Sequence, residues 1–137
     1  MKKILSLFLV VLMCMSMVLP VYAADEMVSP RFNNTVMATA NFLINSSGLA
    51  IATFSYTGYP NYATGATITC KIEKKFLWWW NDVDGASWTI NLSGSTNATE
   101  YSYQLSKTGT YRLSYEITVY GTAGDADVIS DIIEKEY

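Results

Sequence analysis

The segment "TYRLSYEITVY", residues 110–120, determines the fold class. Apolar and aromatic side chains occupy every second position, while charged or hydroxyl side chains fill most of the others. Successive side chains of a β-strand point to opposite faces, so a strict period of two predicts a strand with one buried face. The face predicted to be buried consists of Tyr111, Leu113, Tyr115, Ile117 and Val119.

Six further segments show similar composition and are separated by Gly, Pro, Asn and Asp. Val, Ile, Thr and Tyr dominate them, and no helical period extends through this part of the chain. The sequence therefore predicts an all-β sandwich of about seven antiparallel strands in one domain. The last segment leaves two alternatives open, a strand with a bulge or a short helix over 128–135. The six segments are VMATANFLI (36–44), LAIATFSYT (49–57), ATITCKIEK (66–74), ASWTINL (86–92), TEYSYQL (99–105) and DVISDIIEKE (127–136).

The start of the sixth strand carries a more specific signal. In "KTGTYRL" (107–113), Gly109 precedes Tyr111 by two residues and Leu113 follows it by two. This spacing resembles the tyrosine corner of immunoglobulin-like sandwiches, in which the Tyr hydroxyl bonds back to the backbone. Antibody domains have Cys where Leu113 stands, so the disulfide-bridged antibody type is excluded. We expect the wider immunoglobulin-like architecture, with Tyr111 and Gly109 in structural roles.

The first 23 residues, "MKKILSLFLVVLMCMSMVLPVYA", have the pattern of a signal peptide. Lys2 and Lys3 precede an apolar run, Pro20 follows it, and Val21-Tyr22-Ala23 supplies small residues for cleavage. We expect a signal helix removed after Ala23, a secreted protein, an irregular segment over 24–35 and a sandwich domain over 36–137. An uncleaved anchor is the alternative, because the apolar run is nearly long enough to span a bilayer.

Removal of the signal peptide makes the chain more acidic, because Lys2 and Lys3 are removed with it. The remaining chain has seven basic and twelve acidic residues. A chain of this charge lacks the Lys and Arg cluster that nucleic acids or anionic membranes require. We therefore expect neither as a partner of the cleaved protein. Cys70 would be the sole remaining cysteine, so no internal disulfide forms. It shares a face with Ile68 and Ile72 and is predicted to be a buried apolar residue.

Catalytic chemistry has little support in this composition. Histidine is absent, which excludes Ser-His-Asp and Cys-His mechanisms and His-ligated zinc. Two carboxylate pairs, Asp82 with Asp84 and Asp125 with Asp127, lie in predicted turns, where Asp bonds to the local backbone. A calcium site in such a turn is the alternative. We predict no enzyme activity, no metal and no cofactor.

Three consecutive tryptophans in "KKFLWWWNDVDG" (74–85) are the most unusual feature of the sequence. Strand alternation prevents Trp78, Trp79 and Trp80 from all entering one core, and a bulge is expected at Lys74–Lys75. One interpretation places two indoles in the end of the sandwich and the third beneath residues 25–35.

The alternative is an exposed aromatic platform for sugar rings, because the flat apolar faces of indoles stack on pyranoses. Nearby polar side chains would bond to the sugar hydroxyls, and the loop residues Tyr59 and Tyr62 would extend the surface. The polar side chains are Glu73, Asn81, Asp82 and Asp84. Protein contact or self-association through the same tryptophans is a third interpretation.

Four segments carry a resemblance to a known group: "SSGLAIATFSYTGY", "KIEKKFLWWWNDVD", "YQLSKTGTYRLSYEITVYG" and "GDADVI". Together they resemble small exported proteins of Gram-positive, often gut-dwelling, bacteria. The likeness covers about residues 30–137 and implies a leader followed by an immunoglobulin-like sandwich. The group has no assigned activity, so the resemblance implies no catalytic residues.

The sequence as a whole predicts an exported, non-catalytic binding or surface module. Carbohydrate or cell-wall polymer recognised through the aromatic patch is the first hypothesis. A structural or protein-interaction role, through self-association or a protein partner, is the alternative.

Overall fold

A computed structural model describes residues 32–137 of the chain. The predicted signal peptide, residues 1–23, lies outside the described residues, as does most of the predicted irregular segment 24–35. The described part forms seven antiparallel strands, which confirms the all-β prediction. The strands are β1 (Thr35–Ile44), β2 (Leu49–Gly58), β3 (Ala63–Phe76), β4 (Trp79–Ser93), β5 (Thr96–Gln104), β6 (Thr110–Gly121) and β7 (Asp127–Glu136).

Two sheets face each other. One has the strand order β1-β2-β5, and the other has the order β4-β3-β6-β7. In the constant-type antibody domain the fourth strand joins the sheet of the first two strands. Here it stays beside the third, because a two-residue turn joins β3 and β4 into one long hairpin. The strands β4 and β5 therefore lie at the edges of opposite sheets. Across residues 32–137 there is no helix of the length and apolar character that crossing a membrane requires.

The core lies between the sheets and follows the predicted alternation. Tyr111, Leu113, Ile117 and Val119 on β6 are buried, while Tyr115 is half-buried. Burial of one large apolar side chain stabilises the fold by about 1.5–3 kcal/mol. The other buried apolar side chains come from β1, β2, β3, β4 and the chain that follows β5: Phe42, Ala50, Ala52, Phe54, Tyr56, Ala63, Ala66, Ile68, Cys70, Ile72, Ala86 and Leu105.

Cys70 lies among these core residues with 2% of its surface exposed. Burial raises the pKa of its thiol to about 11. A thiol in this state is a poor nucleophile, because the thiolate is the reactive form.

Large aromatic residues close the side of the sandwich where β4 faces β5. Trp88 stacks on Tyr101, with ring centroids 5.1 Å apart and an interplanar angle of 17°. Tyr103 meets the same indole edge-on at 6.4 Å. Tyr101 and Tyr103 lie opposite Ala52 and Ala50 on β2, whose small side chains leave room for the rings.

The tyrosine corner is present at the entry to β6. The Tyr111 hydroxyl donates a hydrogen bond of 2.6 Å to the carbonyl oxygen of Lys107. Gly109 takes a φ of +143°, which residues with a side chain rarely adopt. A Cβ at this position would also come within 3.0 Å of the Lys74 side chain. Glycine at position 109 therefore suits this backbone conformation and also leaves room for the Lys74 side chain, which passes over it.

A polar cluster closes the end of the sandwich where β1 begins. The Asp127 carboxylate accepts hydrogen bonds from the backbone N–H groups of Asn33, Asn34 and Thr35, at 2.7–2.8 Å. The buried Asn34 side chain bonds in turn to the Asp125 carbonyl at 2.9 Å. Burial acts to raise the pKa of Asp127, but these backbone donors outweigh it and hold that pKa below its ordinary value. Asp127 thus joins β1 to β7 across the two sheets.

The structure decides the open alternative for the last segment in favour of a strand, and it corrects two other sequence predictions. The last segment is a strand with no register shift. Its apolar alternation is broken because Asp131 lies opposite Tyr115, on the face of the sheet that covers the core. A charged residue is tolerated on that face because β7 is an exposed edge strand. The predicted bulge at Lys74–Lys75 is wrong, since β3 pairs in regular register with β4 from Glu73 to Phe76 and with β6 from Gly65 to Lys74. The extra residues lie instead on β4, where 83–86 bulge opposite Ile72, so that Asp82–Gly85 is not a turn between strands.

Candidate functional site

The β3–β4 hairpin forms an arm, residues 74–81, at the end of the sandwich opposite the Asp127 cluster. Phe76 pairs with Trp79, and Leu77 and Trp78 form the two-residue turn between them. Leu77 has a φ of +56°, a conformation that hairpin turns usually assign to Gly or Asn. A large apolar residue therefore occupies the apex, where glycine would cause less strain.

The apex exposes apolar surface from four consecutive residues, which we call the aromatic tip. The exposed fractions of Phe76, Leu77, Trp78 and Trp79 are 56, 64, 80 and 40%. The Trp79 ring contacts both aromatic neighbours, with its centroid 5.2 Å from Phe76 and 5.1 Å from Trp78. The rings thus hold one another in place without entering the core. The interpretation that two indoles fill the end of the sandwich is wrong.

Trp80 has a different environment, on the outer face of the four-stranded sheet. The Arg112 guanidinium lies 4.4 Å from the centroid of its ring, and the Lys75 ammonium lies 5.7 Å from it. Arg112 also binds Glu73 with two hydrogen bonds, of 2.7 and 3.2 Å. The bond from Arg112 lowers the pKa of Glu73, although burial opposes it, and Lys71 lowers that pKa further. Trp80 therefore supports an ion-pair network and does not extend the tip.

A groove lies on the inner side of the arm and has a volume of about 490 Å³. The arm forms one wall, and the β5–β6 connection with the end of β5 forms the other. The Tyr103 hydroxyl donates a 2.8 Å hydrogen bond to the Asp84 carbonyl, which fixes the β4 bulge against β5. The residues that line this arm groove include Lys74, Lys75, Phe76, Asn81, Asp82, Tyr103, Lys107 and Tyr111. Aromatic rings, an amide and ammonium groups thus line a volume typical of small-ligand sites.

The structure separates the predicted site residues into two groups. Trp78 and Trp79 belong to the aromatic tip, and Asp82 borders the arm groove while bonding to Lys71 at 2.8 Å. Tyr59 and Tyr62 are exposed, but they precede Ala63 at the opposite end of β3. A strand of this length separates its ends by about 40 Å. The two tyrosines therefore do not extend the tryptophan surface, contrary to the prediction.

Asp84 contributes less to the candidate site than the sequence predicts. Its side chain is exposed on the β4 bulge, and its contact with the groove wall is made by its backbone carbonyl. Within residues 32–137 no group of three or more His, Cys, Asp or Glu side chains is placed to hold a metal ion.

Sequence reasoning did not assign Lys74, Phe76, Tyr103 or Lys107 to the site. Alternation in "TEYSYQL" does place Tyr103 on the inner face, and "KK" before the tryptophans marks Lys74. The pairing of strands was the missing information. Only the two-sheet topology shows that the β5–β6 connection lies beside the β3–β4 hairpin.

A second concavity of about 500 Å³ lies on the outer face of the three-stranded sheet. It is lined by backbone and small polar side chains such as Thr39, Thr53 and Ser55. The hydroxyls of Thr39 and Ser55 bond to each other at 2.7 Å. Among its lining residues the only ring is that of Phe54, which is buried in the core, so the arm groove is the better candidate site.

No family model matches this chain, and no curated protein matches it at a significant level. The resemblance to small exported proteins therefore stays a prediction. The candidate site rests on its own geometry.

Proposed function

We propose that this protein is an exported, non-catalytic binding module that recognises a carbohydrate or cell-wall polymer with its hairpin arm. The observation that supports this most is the exposure of Trp78 at 80% beside the half-exposed Trp79. Exposed indoles of this kind add little to folding stability, and they offer flat apolar faces to a ligand.

The geometry of the arm favours sugars as the ligand class. Sugar rings have apolar C–H faces and hydroxyl edges, so their sites combine aromatic rings with directional polar groups. Phe76, Trp79 and Tyr103 supply rings at or beside the arm groove, and Asn81 supplies an amide. A short hairpin paired to a rigid sheet holds these groups at fixed positions and so reduces the entropy lost on binding.

The direct test is a binding screen with tryptophan fluorescence and affinity electrophoresis. Soluble xylan, mannan, mixed-linkage β-glucan and peptidoglycan fragments are the probes. We expect at least one to change the emission and retard the protein in the gel. Trp78→Ala should weaken that binding by about tenfold to a hundredfold, as loss of a central aromatic contact does.

Tyr59→Ala and Tyr62→Ala provide matched controls, because both residues are exposed aromatics at the opposite end of the sandwich. They should leave binding unchanged. Absence of binding to every polymer would overturn the proposal, and so would a Trp78→Ala variant that binds as tightly as the parent protein.

A protein contact is the second candidate, and Leu77 favours it. This side chain is 64% exposed at the apex of the arm, and an aliphatic group cannot stack on a sugar as an indole does. A convex apolar apex also fits the pocket of a partner protein, where such residues form the centre of an interface. A second copy of the chain is the simplest partner to test.

Sedimentation equilibrium over a concentration series tests this candidate. Leu77→Gly removes the side chain and suits the positive φ, so it should weaken self-association while preserving the fold. Leu43→Ala, at an exposed position on β1, is the control and should have no effect. A protein that stays monomeric at millimolar concentration would rule out self-association through the arm.

A further inference from the structure

We propose that the ligand of the arm groove is an anionic glycopolymer, a hydroxylated chain that carries repeated carboxylate or phosphate groups. This inference rests on the proposed carbohydrate-binding function and specifies its ligand. It starts from the position of the lysines around the groove and not from the net charge of the chain, which is acidic.

Three lysines line the arm groove, and two of them, Lys74 and Lys107, come from opposite walls. Lys74 comes from β3, and its Nζ lies 5.3 Å from the centroid of the Tyr111 ring. Lys107 comes from the β5–β6 connection, next to the tyrosine corner. Gly109 leaves the space in which the Lys74 side chain crosses this connection. The two lysines thus reach one groove from separate elements of the fold.

Neither ammonium has a carboxylate partner in the described part of the chain. The ion pairs within residues 32–137 involve only Lys71 and Arg112 as cations. Lys74 lies instead against an aromatic face, which attracts a cation but does not neutralise it. Both groups therefore remain available to an anion.

The side-chain carboxylates near the groove are already engaged or point elsewhere, and the main chain of Tyr137 bonds to Gly109. Asp82 lines the groove and bonds to Lys71 at 2.8 Å. Glu73 is 5% exposed and is held by Arg112 on the outer face of the sheet. Asp84 lies on the bulge and does not line the groove. Three lysines and one carboxylate, that of Asp82, thus line the groove, so its lining carries an excess of positive charge.

The aromatic and polar lining restricts the kind of anion. A simple ion would use the two lysines and leave Phe76, Tyr103 and Asn81 without contacts. A polymer of sugars or polyols with acidic substituents can place rings or carbon chains on the aromatic residues and hydroxyls on the amide. Its carboxylates or phosphates can then reach Lys74 and Lys107.

A matched pair of polymers tests the charge requirement. Polygalacturonate and its fully methyl-esterified form share one backbone and differ only in charge, while delipidated poly(glycerol phosphate) supplies phosphate in place of carboxylate. We expect polygalacturonate or poly(glycerol phosphate) to bind at least tenfold more tightly than the ester, with affinity falling as salt increases. Whichever of the two binds more tightly identifies the acidic group.

The double variant Lys74→Gln with Lys107→Gln should lose about tenfold in affinity for the anionic polymer, as two partly exposed ion pairs predict. Its affinity for the methyl ester should stay the same. Lys135→Gln is the control, because it removes one positive charge from the same end of the sandwich without lining the groove. It should change neither affinity.

The outcomes separate this inference from the proposed function. Equal binding of polygalacturonate and its ester, with Trp78→Ala still deleterious, would overturn the charge requirement and leave carbohydrate binding intact. No binding to any of these polymers or to the neutral panel would overturn both. Two further results would overturn the proposal that the ligand is an anionic glycopolymer. One is binding of inorganic polyphosphate as tight as that of poly(glycerol phosphate), and the other is binding to phosphatidylglycerol vesicles alone.

Discussion

The two ends of this sandwich are built from opposite chemistries. At one end the buried Asp127 carboxylate accepts hydrogen bonds from the backbone where β1 begins, and the buried Asn34 side chain donates one to the Asp125 carbonyl. At the other end the hairpin arm extends Phe76, Trp78 and Trp79 into solvent. Polar groups are therefore buried at the first end, and apolar groups are exposed at the second.

This inversion indicates which end serves stability and which serves binding. A buried carboxylate is tolerated because its hydrogen bonds compensate for lost hydration, so the cluster joins the two sheets. Exposed indoles are not required for folding and increase the risk of aggregation. We therefore expect substitutions at the Asp127 end to change stability, and substitutions in the aromatic tip to change binding.

Asp127→Ala should give the largest effect. It leaves three backbone N–H groups without their acceptor, and the free energy of unfolding should fall by about 3 kcal/mol. Urea denaturation followed by fluorescence measures the change. Asp125→Ala is the matched control, because its carbonyl and not its carboxylate contacts Asn34, so it should stay within about 0.5 kcal/mol of the parent.

Acidification should destabilise the protein through the Asp127 cluster and through the Glu73–Arg112 pair. The pKa values of Asp127 and Glu73 are lower in the folded state than in the unfolded chain. Their contribution is therefore complete above the ordinary carboxyl range of about pH 4 to 4.5, and it is lost as the pH falls through the folded values. Denaturation curves between pH 7 and pH 2 provide the measurement. The free energy of unfolding of Asp127→Ala should fall less on acidification than that of the parent protein. An identical fall in both proteins would contradict the contribution of the Asp127 carboxylate to the pH dependence.

Tyr111→Phe should lower the free energy of unfolding by about 1 kcal/mol, the typical net value of one hydrogen bond. The tyrosine corner lies next to the arm groove, so this variant tests how far ligand binding in the groove depends on the hydrogen bond between Tyr111 and Lys107. Thermal denaturation gives the stability, and polymer binding should decrease by less than twofold. Tyr120→Phe on the same strand is the control, since its exposed hydroxyl makes no hydrogen bond with the described residues.

Trp78→Ala should have the smallest effect on stability, within about 0.5 kcal/mol of the parent protein. The indole is 80% exposed and contacts Trp79 at the tip, so its removal leaves no cavity in the core. Trp88→Ala is the comparison, because Trp88 packs against the core and stacks on Tyr101. A loss above 2 kcal/mol for Trp78→Ala would mean that the aromatic tip is structural.

Several features could be predicted from the sequence because they depend on neighbours along the chain. The alternation in 110–120 places Tyr111, Leu113, Ile117 and Val119 in the core, since each strand residue points to the face opposite its neighbour. The spacing of Gly109 and Tyr111 predicts the corner, because its hydrogen bond joins residues four apart in the sequence. The strand in 127–136 was ambiguous, because an exposed edge permits Asp131 on the core side.

The candidate site could be predicted only in part. The run of three tryptophans indicates an exposed indole, since alternation excludes all three from one interior. It does not distinguish Trp80, which Arg112 covers, from Trp78, which the turn exposes. Nor does it show that Tyr59 and Tyr62 lie at the opposite end of β3.

By itself the sequence determined that the chain forms antiparallel strands with one buried face, with a tyrosine corner at the sixth strand. These properties follow from side-chain alternation and from contacts a few residues apart. The tertiary structure decided that β4 pairs with β3, that Lys74 and Lys107 border one groove, and that Asp127 joins β1 to β7. Those contacts join residues far apart in the chain, and only the register and stacking of the two sheets bring them together.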